Sequence, residues 1–164
     1  MIPQIRTLSG LDNDADGISL SQSPAGAGNL TITGALASGG SVTLTVAQRV
    51  SISSAADDTG RTFTVTGKDA DGKSITDAIT GANAGAAAGV KYFKVITQIA
   101  VDAATAGAVT AGVFSANGGV SGTIVANYRA TDFSIGMGVN ITGTLSATVQ
   151  QCFDNIMDAS ITPV

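Results

Sequence analysis

All twelve acidic residues of this 164-residue chain are aspartates; it contains no glutamate at all. Lysine is scarce too, while Thr, Ser, Gly, Ala and Val dominate. Glutamate and lysine are the usual solvating residues of helix surfaces. Threonine and valine suit strands, and aspartate and glycine suit turns. This composition predicts an all-β chain with few exposed helices.

The periodicity agrees. Leu30 and Ile32 alternate with Thr31 and Thr33, and Val42, Leu44 and Val46 alternate with Thr43 and Thr45. Val50 and Ile52 alternate with serines, and Phe63 and Val65 with Thr62, Thr64 and Thr66. Successive strand side chains point to opposite faces, so each segment is expected to bury one row and show a hydroxyl row outward. Residues 75–80, 90–101, 107–114, 123–129, 133–142 and 145–150 read as further strands, with 90–101 a candidate central one. A short helical turn is expected only over 153–159. Ala55–Gly60 and Lys68–Lys73 both read as hairpin turns, the second through its Asp71-Gly72 pair. About nine to ten short strands predict an antiparallel β-sandwich or jelly roll over residues 29–164. Residues 1–28, with the polar turns Asp12–Gly17 and Ser23–Gly26, read as an extended N-terminal arm.

With 44% hydrophobic residues the chain has material for a core, and its 12% charged residues fall far below the ordinary soluble share of about 25%. So thin a charge coat suits a subunit of an assembly, and a homo-oligomer, dimer or trimer, is expected. Trp is absent and aromatics total 4%, so the core must be built of Val, Ile, Leu and Ala and lean on subunit contacts. The net charge of −4 argues against nucleic acid. No apolar run reaches the length of a membrane span, and Met1–Arg6 shows no signal-peptide core, so synthesis in the cytoplasm is expected.

Catalytic chemistry finds little footing. The chain has no histidine, which removes Ser-His-Asp and Cys-His nucleophile systems and the usual zinc sites. Cys152 has no Cys-x-x-Cys partner and no basic neighbour in sequence, and reads as a buried, inert thiol. Neither an enzyme nor a bound cofactor is expected. Asp12, Asp14 and Asp16, followed by Gly17, match the first half of a calcium-loop pattern. The twelfth position of such a loop should supply a bidentate acid and is Ser23 here, so a solvated acidic turn is the preferred reading and calcium the weaker one. Asn29-Leu30-Thr31 and Asn140-Ile141-Thr142 match the glycosylation sequon by the chance expected in a Thr-rich chain. Lys91-Tyr92-Phe93-Lys94 is too slight for a nucleic-acid strip and reads as a strand.

Several segments carry a resemblance. Arg49–Ser54, Asp58–Gly67, Thr80–Gly85, Lys91–Ile99, Val139–Thr144 and Thr148–Asp154 resemble small virion proteins of tailed bacteriophages. In that family a His or Tyr and a Thr commonly precede the Phe-Asp pair, where this chain has Gln151-Cys152. The resemblance spans roughly residues 29–155 and rests on strand and turn signatures. It implies a capsid cement or decoration subunit on the virion exterior, bound to the major capsid protein and other virion proteins. A tail adaptor, tail-tube or fibre-attachment component is the alternative, and a carbohydrate-binding or adhesin-like module a third. Under this reading the arm reaches a neighbour, and its apolar residues Ile2, Ile5, Leu8 and Leu11 are the candidate interface.

Overall fold

The computed structural model describes residues 13–114. Nine strands form in this stretch: β1 (Asp14–Gln22), β2 (Gly28–Asn29), β3 (Ala37–Ser38), β4 (Ser41–Ser54), β5 (Thr62–Lys68), β6 (Ser74–Thr80), β7 (Ala86–Ala88), β8 (Phe93–Val101) and β9 (Val109–Phe114). Every pairing is antiparallel, and no helix occurs among the described residues. The main path runs β1-β9-β4-β8-β5-β6, with β2 on β8 and β3 and β7 on β4. Over these residues the fold is all-β and sandwich-like. Strand readings at 123–129, 133–142 and 145–150 and the helical turn at 153–159 lie outside the described residues.

The architecture turns on β4. Its first half pairs with β8 (Val42 with Ile96, Thr43 with Val95), and its second half pairs with β9 (Val50 with Val113, Ile52 with Ala111). Between them the register with β8 slips from Thr43–Val95 to Gln48–Phe93. There the in-out alternation breaks, because Val46, Ala47 and Gln48 are buried in succession. A slip of this kind bends a strand and lets it leave one half of a sheet for the other, as at the corners of packed sheets. Both halves then feed one core. Ile18, Val50, Ile52, Val109 and Ala111 come from the β1-β9-β4 half, and Phe63, Val65, Phe93, Ile96 and Ile99 from the other. Phe63 and Phe93 are fully buried, and the rest of this core is aliphatic. Each such side chain contributes about 1.5–3 kcal/mol by leaving water.

The β5–β6 hairpin follows its turn chemistry. Asp69 Oδ1 accepts from the N–H groups of Asp71 and Lys73 at 2.9 Å each. Gly72 takes φ +82°, a left-handed conformation that side chains resist.

Three sequence expectations change. Ala55–Gly60 is not a hairpin turn, because β8 lies between β4 and β5; the segment crosses from one half of the sheet to the other. Leu30–Thr33 is not a ladder strand, although Leu30 and Ile32 are buried and Thr31 and Thr33 exposed as expected. Side chains stand in for the ladder: Gln22 Oε1 accepts from Thr31 N–H at 3.0 Å, and Ser19 Oγ donates to Thr31 O at 2.8 Å. Finally, residues 14–22 of the expected arm are β1, paired with β9, with Ile18 fully buried. Pairing and the burial of Ile18 outweigh the turn character of the local sequence.

Candidate functional site

The acidic stretch belongs to an irregular part of β1. Register with β9 jumps from Asp14–Val113 to Ser19–Ala111, so five residues of β1 span two of β9. The turn-forming residues Asp14 to Gly17 make this bulge, and Asp14 Oδ1 accepts from Asp16 N–H at 3.2 Å. Asp16 is exposed and Asp14 half-buried. Asp12, the third member of the calcium reading, lies outside the described residues. So do Ile2, Ile5, Leu8 and Leu11, and Cys152. Among the described residues no three acidic, Cys or His side chains converge as a metal-holding group.

Three other aspartates hold loops together. Asp58 is buried, and its Oδ1 accepts from Ala106 N–H at 2.7 Å, tying the 55–61 crossing to the 102–108 loop. Its Oδ2 has no hydrogen-bond partner among the described residues. Arg61 strengthens the same junction, with Nε donating to Ala104 O at 2.6 Å. Asp57 is exposed; the hydroxyl and then the N–H of Thr59 donate to it and hold its carboxyl below the ordinary aspartate value. Asp77 lies on the inward row of β6 between Ile75 and Ile79, and is buried. Its Oδ2 accepts from Val90 N–H at 2.7 Å and Lys91 N–H at 2.9 Å. This carboxylate clasps the link between β7 and β8 to the sheet.

The Lys91–Lys94 stretch divides as a strand does. Phe93 is fully buried, Lys91 is exposed, and Lys94 Nζ donates to Thr45 O. None of this groups a base, a nucleophile and an acid.

What the fold does present is a surface. On the outer side of the β4-β8-β5-β6 half, Thr43, Thr64, Thr76, Thr80, Thr97 and Gln98 are exposed, and cross-strand pairs such as Thr66–Thr76 and Thr62–Thr80 continue the row. It ends at β6, which among the described residues has a strand on one side only. The hydroxyl rows show in the sequence through their period of two, whereas the strand that ends the sheet among the described residues depends on pairings that local pattern does not encode.

Searches of protein-family models, curated proteins and solved structures found no match for this chain.

Proposed function

We propose that this chain is a non-enzymatic structural subunit of a tailed-bacteriophage virion, a cement or decoration protein that binds the major capsid protein on the outer face of the shell. The observation that carries the reading is the hydroxyl-bearing outer face of the β4-β8-β5-β6 half. Thr43, Thr64, Thr76 and Thr80 stand exposed on strands braced by a continuous core. Such a face is stiff and short of charge. It makes broad contact without the cost of stripping water from ions, which is what a lattice binder needs. The segment resemblance to small virion proteins supports the same reading from the sequence side. Three of the aspartates also have structural work: Asp58 and Asp77 hold loops, and Asp14 shapes a bulge.

The test is the copy number of this chain in purified particles of the phage that encodes it, by quantitative mass spectrometry against the major capsid protein. A near-equimolar ratio, or a simple large fraction of one, is the expected result. A few copies per particle would transfer the chain to the tail or portal vertex, and absence from the particle would refute a virion role.

A further inference from the structure

Directly opposed residues in an antiparallel pair alternate between those that exchange backbone bonds and those that turn their N–H and C=O away. Two bonds fix that alternation for β5 and β6. Gly81 N–H donates to Arg61 O at 2.9 Å, and Thr62 O accepts from Asp102 N–H on the far side of β5 at 3.2 Å. Phe63–Ile79, Val65–Asp77 and Gly67–Ile75 are therefore the bonded pairs. Ser74, Thr76, Ala78 and Thr80 turn their N–H and C=O groups outward, and all four are exposed.

Edges of this kind are normally blunted by lysine, proline, a bulge, an inward-pointing charge or a covering segment. Among the described residues β6 has only the inward charge: its register with β5 is unbroken from Thr80 to Ser74, and its sequence is Ser-Ile-Thr-Asp-Ala-Ile-Thr. Its one charge, Asp77, points inward and already accepts two backbone N–H bonds. Val90, which supplies one of them, is 71% exposed beside β6.

We infer that β6 pairs antiparallel with β6 of a second copy, making a two-fold dimer whose sheet runs continuously from one chain into the other. The occupant follows from self-complementarity. The outward residues are uncharged, so two identical edges meet without repulsion. Centring the two-fold on Ala78 sets Thr76 opposite the partner's Thr80 twice over, places the small Ala78 at the axis, and opposes Asp77 to the partner's Ile79. Centring it on Asp77 would oppose two carboxylates, which destabilises a directly facing pair. An isologous edge contact closes on itself, so the assembly stops at two.

The test is sedimentation of the full chain beside three variants, each checked for its β spectrum. The native chain should sediment at twice the chain mass. Ala78→Lys adds the missing edge charge, and Ala78→Pro removes an outward N–H that makes no bond to β5; both should yield monomers. Thr43→Lys, on the same face but away from the edge, should remain dimeric. A nitroxide at Ala78→Cys, in a Cys152→Ser background, should show strong dipolar broadening that dilution with unlabelled chain removes. A monomeric native chain, or a dimer that survives both edge variants, would overturn the pairing. A dimer without broadening would overturn the register.

Discussion

Space and hydrogen bonding, more than residue class, decide what single positions tolerate here. A Cβ on Gly67 would sit 1.9 Å from Val95 O, where β5 and β8 close on each other beside a register slip. A backbone carbonyl in a ladder cannot step aside, so Gly67→Ala should cost about 1–3 kcal/mol, the range for overpacking, in urea denaturation. Gly60→Ala, where a Cβ meets nothing within 4 Å, should leave the midpoint nearly unchanged. Asp58 offers a second contrast. Asp58→Ala leaves Ala106 N–H without its acceptor and should cost about 1–3 kcal/mol, whereas Asp58→Asn keeps an acceptor oxygen and should cost less. For Asp57 the readout is titration. Its carboxyl is depressed by the Thr59 hydroxyl and then by the Thr59 N–H. A depressed carboxylate contributes stability that is present above the unfolded-state value, about 3.9, and fades as pH falls through the folded value. Thr59→Ala should move the Asp57 carboxyl resonance midpoint upward toward the ordinary value, and an unchanged midpoint would show that the hydroxyl is not the cause.

At the level of elements, β5 and β6 were legible because pattern and pairing agree: Phe63 and Val65 point in, Thr64 points out, and Asp71-Gly72 closes the hairpin. The apolar-rich 90–101 stretch, read as a candidate central strand, holds β8, which lies between β4 and β5. Elsewhere local signals were true but incomplete. Leu30 and Ile32 alternate correctly with threonines, yet beyond the Leu30 N–H bond to Ile99 O the backbone of Thr31 between them is held by the Gln22 and Ser19 side chains. The turn residues of Asp14–Gly17 shape a bulge within a strand, because Ile18 must reach the core. The place of β6 at the end of the sheet among the described residues and the clasp made by Asp77 were not legible, for each depends on residues brought together by pairing. Asp77 sits thirteen residues from Val90, to which it is bonded. Asp77→Ala should cost about 1.5–3 kcal/mol, the range for bonds to a charged group, and speed amide exchange at Val90 and Lys91 before the core strands respond. Unchanged exchange at those two amides would show that the link is held by other contacts.

For the molecule as a whole, the placement of β1 changes what an N-terminal deletion can report. With residues 1–28 taken as an arm, removing residues 1–20 ought to spare the β framework. The structure puts Asp14–Gln22 in the sheet, with Ile18 at 0% exposure and Ser19 Oγ holding Thr31 O at 2.8 Å. Losing the Ile18 side chain alone is expected to cost about 2–5 kcal/mol, a large share of the roughly 5–15 kcal/mol that holds a typical domain together. Removal of residues 1–20 also strips β9 of its outer partner along Ala111 to Val113, leaving only Gln22 opposite Val109. That deletion should therefore lose the cooperative thermal transition, and weak binding to particles would then report unfolding rather than a missing contact. A cut after residue 12 leaves every described strand in place, the first of them beginning at Asp14. The shorter deletion should keep the native β spectrum and a thermal midpoint within a few degrees of the full chain. Against that background, reduced particle binding would assign a contact role to the removed residues, Ile2, Ile5, Leu8 and Leu11 among them. Undiminished binding would place the contact on the folded β domain, where the threonine face is the surface to mutate next.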